Sequence, residues 1–304
     1  MRRPLRQLAA AAAALLALSL NGAPGARAGP PTMAELLAAS SPQDWRQPDA
    51  ENTLYLDLAA GRVVIELAAR VAPRHVANIK ALARAHYFDG LAIVRVQDNY
   101  VVQWADPDHH RPIPAGIGMV APELTAAAGA DQRFEPLAER DAYAPQTGFI
   151  DGFPAGRDPR THTAWLTHCY GMVGVGRDDP PQSDGTEMYV VIGNAPRHLD
   201  RNVALVGRVL VGMELLSSLP RGSGDMGFYT ATQANVPIVS AHVAADVLPT
   251  DRVPLEILRT GSATFRAVLD QRRHRPESWF QFHPGHIDVC NVPLPVRAAR
   301  AGGP

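Results

Sequence analysis

The stretch YFDGLAIVRVQDNYVVQWAD, residues 87–106, holds two apolar, β-rich runs separated by a polar segment. Residues 93–96 and 100–103 read as strand ends, and residues 97–99 predict a turn between them. That turn would bring Arg95, Tyr100 and Gln103 together. An arginine offers planar donors that keep their charge, a glutamine can orient them or bind an amide, and an aromatic ring adds an apolar floor. The trio predicts a functional site; the alternative is a buried arginine satisfied in a β-core.

The residues before this stretch predict a hairpin and a helix. Thr53–Leu58 and residues 63–67 read as strands that turn at Gly61. Pro73 suits the first turn of a helix. Apolar residues recur after it at helical spacing, at Val76, Ile79, Leu82 and Ala83.

This arrangement resembles the cyclophilin family of peptidyl-prolyl isomerases, whose pattern is roughly Y-x-G-x-x-F-H-R-x-x-x-x-F-x-x-Q-G-G-D. The resemblance places the family's catalytic arginine at Arg95, its pocket phenylalanine at Tyr100 and its pocket glutamine at Gln103. Residues 71–79, VAPRHVANI, resemble the family's V-A-P-x-T-V-x-N-F. The implied fold is mainly β: a closed antiparallel β-barrel capped by two helices, with a long insertion and a C-terminal extension.

Three later blocks also resemble the family: GMVGVGR at 171–177, GTEMYVV at 185–191 and HLDRNVALVGRV at 198–209. Tyr189 takes the place of the aromatic that touches the substrate proline, and Leu199 that of the pocket leucine. His198 replaces a tryptophan and Val203 a histidine. The resemblance thus implies seven substrate-binding residues: Val101, Gly176, Glu187, Tyr189, His198, Leu199 and Val203.

Two departures alter the pocket. The family's Gly-Gly is Trp104-Ala105, and its S-Q-F-F is TEMY at 186–189. The phenolic oxygens of Tyr100 and Tyr189 need partners if they are buried, so we expect a pocket that is more polar or open to water. Isomerase activity is expected to be weak.

The reaction implied by the resemblance is rotation about the peptide bond that precedes proline, with no cofactor and no covalent intermediate. The uncatalysed barrier is about 18–20 kcal/mol. Rotation returns a lone pair to the prolyl nitrogen, and a fixed donor there stabilises the twisted state more than either planar one. Arg95 is the candidate for that donor, with Gln103 holding it or a substrate carbonyl.

The N terminus predicts export. Arg2, Arg3 and Arg6 precede an Ala- and Leu-rich run at 8–20, and the small-x-small triplet at 26–28 predicts signal-peptide cleavage after Ala28. We expect a periplasmic or secreted protein without a membrane anchor. Cleavage would remove Arg2, Arg3, Arg6 and Arg27, which leaves 25 of the 29 basic residues against 30 acidic ones, a net charge of −5. That balance excludes typical nucleic-acid binders, so the expected partners are proline-containing polypeptides, and the expected state is a monomer.

Residues 29–247 are predicted to form the cyclophilin-like domain, with an insertion at about 107–168 and an extension at 248–304 packed on the barrel. The insertion is rich in Pro, Gly, Asp and Ala, which predicts a long loop; it could cover the peptide groove or be a passive surface element. In the extension, Ser262 is a candidate helix cap. The only cysteines, Cys169 and Cys290, are predicted to form a disulfide in an oxidising compartment; the alternative is two buried thiols that never meet.

Other motifs are weaker. GSGDMG at 222–227 matches a dinucleotide-binding pattern literally but follows a helix, so a loop is predicted. His283, His286 and Asp288, or His109 and His110, could ligate a metal, but no third cluster at zinc-site spacing supports either, so no metal is expected. Two further hypotheses stay open: a proline-peptide binding module with vestigial activity, and a periplasmic chaperone.

Overall fold

The computed structural model describes residues 29–106, 108, 110–128, 133–233 and 235–300. The predicted signal peptide, residues 1–28, and His109 lie outside the described residues.

The α-helices are α1 Met33–Ala38, α2 Pro73–Arg84, α3 Met213–Ser217 and α4 Ala263–His274. Shorter 3-10 turns lie at Pro42–Asp44, Ala50–Asn52, Arg197–Leu199, Asp225–Gly227, Ala244–Asp246, Pro249–Asp251 and Val289–Asn291. Helix α2 begins at the predicted Pro73, and the Ser262 side chain caps α4 by accepting from Phe265 N at 3.0 Å. Within the described ranges, no helix is both long and apolar enough to cross a membrane.

The strands, in chain order, are β1 Trp45–Arg46, β2 Thr53–Leu58, β3 Gly61–Leu67, β4 Ala92–Val96, β5 Val101–Ala105, β6 Ala126–Ala127, β7 Phe134–Pro136, β8 Gln146–Ile150, β9 Phe153–Asp158, β10 Thr163–Leu166, β11 Met172–Val175, β12 Met188–Val191, β13 Leu205–Val211, β14 Val236–Val243, β15 Leu255–Leu258 and β16 Val296–Ala298.

Eight strands close into an antiparallel barrel in the order β11-β12-β5-β4-β14-β2-β3-β13, which confirms the predicted fold. Side chains alternate between the two faces of each strand. In β5 this alternation sends Val102 and Trp104 into the main core, while Val101 and Gln103 face outward. The outer face of β4, β5 and β12 therefore carries the candidate site.

The insertion forms its own five-stranded antiparallel sheet, in the order β6-β10-β9-β8-β7. The prediction of a long loop was wrong because two glycines of this segment, Gly148 and Gly156, lie within strands, where they permit close packing. A Cβ at Gly156 would come within 2.6 Å of the Trp165 ring, and one at Gly148 within 2.2 Å of the Glu135 carbonyl. Close contact between the strands and large side chains requires these glycines.

A second apolar core joins the insertion to both ends of the described chain. Strands β1, β15 and β16 form a small sheet, and Trp45, Phe149, Phe265 and Val289 share one buried cluster that also includes Met172 of β11. Cys169 and Cys290 are disulfide-bonded, with an S–S distance of 2.06 Å and 121 residues of sequence separation. The bond ties the 3-10 turn Val289–Asn291 to the residues just before β11.

Candidate active site

A groove of about 970 Å³ runs along the outer face of the barrel. Nine of the ten predicted catalytic and substrate-binding residues line it: Arg95, Tyr100, Val101, Gln103, Gly176, Glu187, Tyr189, Leu199 and Val203. The tenth, His198, is exposed and lies outside that lining; its carbonyl accepts from Asn202 Nδ2 at 2.9 Å. The structure thus brings together residues from four separate segments of the sequence and leaves His198 aside.

Arg95 lies on β4 directly opposite Gln103 of β5, beside a register shift between residues 93 and 95. Its Nη1 donates to Gln103 Oε1 at 3.1 Å, its Nε donates to the Met226 carbonyl at 2.7 Å, and its Nη2 donates to Gln97 Oε1. Three acceptors in different directions fix the plane of the guanidinium. The acceptors that hold Arg95 in the groove therefore all belong to the protein itself.

Two aromatic rings flank the same guanidinium. Its central carbon lies 5.6 Å from the centre of the Tyr100 ring and 5.3 Å from that of Phe228, within the range of cation–π attraction. Burial lowers the pKa of Arg95 from its ordinary value, but a guanidinium remains protonated in proteins. The group is thus a fixed, partly desolvated positive charge.

The orientation of the Gln103 amide follows from its two neighbours. Its Oε1 accepts from Arg95, and its Nε2 donates to Glu187 Oε2 at 3.1 Å. A carboxylate only accepts and a guanidinium only donates, so the reversed amide would lose both bonds. Glu187 and Arg95 together hold Gln103 in one orientation.

The other end of the groove is apolar. Val101, Tyr189 and Val191 form a buried cluster against which Tyr100 and Val203 pack. Leu199 also lines the groove. A pocket of this composition, beside a fixed cation, suits an apolar ring attached to a peptide group.

The Tyr189 hydroxyl points into protein rather than into solvent. It lies 2.8 Å from Nε2 of His168, a fully buried residue that does not line the groove. The ring crosses over Gly174, where a Cβ would come within 2.3 Å of the phenol oxygen. The expectation that this hydroxyl makes the pocket more polar or open to water was wrong, because its partner lies beneath the groove.

Sequence reasoning missed Met226 and Phe228, which also line the groove. They belong to the glycine-rich segment at 222–227 and its next residue; as predicted, that segment is irregular, apart from the short 3-10 turn Asp225–Gly227. Phe228 forms an isolated antiparallel bridge with Arg95, and the Tyr229 amide donates to the Val94 carbonyl at 2.9 Å. Contacts through backbone atoms leave little trace in a sequence, so only the aromatic pair at 228–229 could have suggested this role.

Cys169 and Cys290 lie away from the groove. In the described part of the chain, no group of three or more His, Cys, Asp or Glu side chains is placed to hold a metal ion.

Comparison with known proteins agrees with this geometry. Residues 53–243 match the family described as "Cyclophilin type peptidyl-prolyl cis-trans isomerase/CLD". The "Probable peptidyl-prolyl cis-trans isomerase" of Brucella suis biovar 1 is 27% identical over 175 residues, which cover 58% of this chain and 74% of that protein. The "Peptidyl-prolyl cis-trans isomerase-like 1" of Homo sapiens is 32% identical over 71 residues, 23% of this chain and 40% of that protein.

A solved structure extends the likeness beyond the barrel. The crystal structure of cyclophilin AquaCyp293 from Hirschia baltica superposes with a TM-score of 0.69 at 26% identity. The match covers 89% of this chain and 99% of that one, more than the 53–243 span of the family match.

Proposed function

Since the chain belongs to the cyclophilin-type peptidyl-prolyl cis/trans isomerase family and is therefore a peptidyl-prolyl isomerase, we propose that Arg95 carries its reaction. The observation behind this proposal is the fixed guanidinium, held by three acceptors beside an apolar pocket. The substrate proline ring occupies that pocket, against Tyr189, Val101 and Leu199. The prolyl nitrogen then faces Arg95.

The chemistry requires a donor that is aimed before rotation begins. Twisting the amide breaks its resonance and localises a lone pair on the prolyl nitrogen, which becomes a better acceptor only in the twisted state. Three of the five N–H groups of Arg95 meet acceptors in the described part of the chain. One further N–H on each Nη is therefore available to the substrate.

A fixed donor has the advantage that it does not reorganise during the reaction. A solvated, mobile cation must reorganise when the lone pair appears, whereas a preorganised one does not. Losing a preorganised donor of this kind lowers kcat by about 10²–10³ in other enzymes. The partial burial of Arg95 strengthens the interaction, because the local dielectric is lower than that of water.

The test is the isomerisation rate of a proline tetrapeptide, measured by exchange spectroscopy for the wild type and for Arg95→Ala. Arg84→Ala is the control: Arg84 is an arginine at the exposed end of α2, and its ion pairs with Glu51 and Asp246 lie away from the groove. We expect a loss of about a hundredfold for Arg95→Ala and none for Arg84→Ala. Equal activity in the two variants would exclude Arg95 as the catalytic donor.

The cellular role proposed is assistance to the folding of exported proteins. Slow prolyl isomerisation can limit folding, so an isomerase is useful wherever chains fold anew. The signal-like residues 1–28 and the disulfide between Cys169 and Cys290 both support an oxidising compartment. Cell fractionation with N-terminal sequencing tests this: a periplasmic form beginning at Gly29 is expected, and a cytoplasmic form that retains residues 1–28 would overturn it.

A further inference from the structure

A buried chain of polar side chains leads from the groove into the insertion. Tyr189 Oη lies 2.8 Å from His168 Nε2, and His168 Nδ1 lies 2.9 Å from Asp200 Oδ1. Arg197 Nε donates to Asp200 Oδ2 at 2.6 Å. The Nη1 and Nη2 atoms of Arg197 donate to the two carboxylate oxygens of Asp141, at 2.9 and 3.0 Å. Five residues thus connect the pocket wall to the loop between β7 and β8.

The direction of each hydrogen bond follows from chemistry. Asp200 is a carboxylate acceptor, so His168 Nδ1 donates to it, and Nε2 is left to accept the Tyr189 O–H. Burial lowers the pKa of His168 and raises that of Tyr189, which favours the neutral imidazole and the protonated phenol that this arrangement needs. Donors and acceptors therefore match along the whole chain.

This chain is unusually well buried for a set that includes three charges. The side chains of His168, Asp200, Arg197 and Asp141 are at most 5% exposed. Burying charges costs desolvation that their mutual attraction often only offsets, so such a set is weak support for stability; in some proteins buried polar groups instead fix one conformation.

Two walls of the proline site depend on it. Tyr189 is held through its hydroxyl. Leu199 ends the 3-10 turn Arg197–Leu199, and the residues on either side of it in this stretch, Arg197 and Asp200, are paired with each other in the row of buried polar side chains. At the far end, Asp141 is fixed by the backbone amides of Tyr143 and Ala144, at 2.8 and 2.9 Å. The insertion therefore supplies the outer anchor of the pocket walls.

We propose that Asp141, Arg197, Asp200 and His168 are positioning residues for the proline pocket, and that the insertion acts on the reaction through Asp141. This inference rests on the proposed function, since it assigns the proline ring to the pocket formed by Tyr189 and Leu199. None of the four positioning residues touches the reacting bond. They act by keeping the pocket in the shape that the ring requires.

Glu139, two residues before Asp141, provides a matched control. Glu139 lies in the same loop and pairs with Arg273 of α4, and its side chain is only 7% exposed. Glu139→Gln therefore removes a buried carboxylate from the same loop and breaks a similar ion pair, but one that leads away from the groove. A merely structural role of the loop predicts the same consequences for Glu139→Gln and Asp141→Asn.

The experiment compares these two variants by their affinity for a proline tetrapeptide, from titration, and by KM and kcat. For Asp141→Asn we expect KM and the peptide dissociation constant to rise by about three- to tenfold, with kcat little changed. A rise of that size corresponds to the net contribution of one hydrogen bond. Glu139→Gln should match the wild type, and Asp141→Glu should recover part of the loss. Equal values for Asp141→Asn and Glu139→Gln would overturn the proposal.

A second comparison tests the route. If Asp141 acts through the Tyr189 hydroxyl, then Asp141→Asn should add less than its own effect on a Tyr189→Phe background, whereas independent sites would multiply. Should Asp141→Asn not fold, His168→Gln replaces it in the same design. Peptide affinity is measured even without turnover, so a protein that binds but fails to isomerise would refute the proposed function and still decide this inference.

Discussion

Reduction of the disulfide between Cys169 and Cys290 should weaken the fold without changing the groove. The bond closes a loop with a sequence separation of 121 residues. In the chain-entropy model such a loop restricts the unfolded state by about 4–5 kcal/mol, less any strain. Against a typical unfolding free energy of about 5–15 kcal/mol, that is a substantial part.

The structure also indicates what remains after reduction. Ile287, Val289 and Val292 are buried in the second core and would still hold the C-terminal segment. Both sulfurs lie away from the groove. We therefore expect a folded, active protein that is less stable and more readily cleaved near the exposed Trp279 and Phe282.

The assay is guanidinium denaturation of the oxidised protein, of the reduced protein and of the double variant Cys169→Ala, Cys290→Ala. Reduction should lower the unfolding free energy by about 3–5 kcal/mol, the double variant should match the reduced form, and kcat/KM below the transition should stay unchanged. Reductant should have no effect on the double variant. Two titratable thiols in the unreduced protein, or a loss below about 1 kcal/mol, would refute the reasoning.

Three further predictions concern buried polar groups. Tyr189→Phe leaves His168 Nε2 without its partner and should lower the unfolding free energy by about 1–3 kcal/mol, while unchanged stability would contradict the bond. Because burial lowers the folded-state pKa of His168, the unfolded chain takes up that proton first as the pH falls below about 6.5, so stability should decrease with falling pH in that range, and His168→Gln should flatten the slope. Glu66→Gln removes the carboxylate that pairs with Arg46 and Arg208, and burial lowers the pKa of Arg208 to about 10. This variant should lower the unfolding free energy, measured by denaturation, by about 3–5 kcal/mol, and a loss below about 1 kcal/mol would contradict the pairing of Glu66 with these arginines.

The barrel and the heart of the groove could be predicted because their signals are local. The hairpin of β4 and β5 has a clear polar turn, and strand alternation then places Arg95 and Gln103 on one face. Helix α2 shows both its Pro73 start and its apolar spacing in the sequence. The family resemblance suggests roles for Arg95 and Gln103, and their spacing in the sequence predicts that the two side chains are neighbours.

The remaining features depend on contacts that the sequence does not record. The Met226 carbonyl that accepts from Arg95 is a backbone atom, so any residue type could supply it. His168 contacts Tyr189 although the two residues are 21 positions apart in the sequence, and no sequence pattern predicts that they pair. Only the family resemblance places His198 in the pocket, and the 3-10 turn that carries it leaves it exposed.

The most direct test of the mechanism compares Arg95→Lys with Arg95→Ala at saturating peptide, where exchange spectroscopy gives the rotation rate of the bound proline. A lysine keeps the charge but lacks the planar fork that meets Gln103, Gln97 and Met226. We predict a bound-state rate at least about tenfold below wild type for Arg95→Lys and about a hundredfold below for Arg95→Ala, with peptide affinity nearly unchanged in both. A wild-type rate in either variant would contradict a reaction carried by the fixed guanidinium of Arg95.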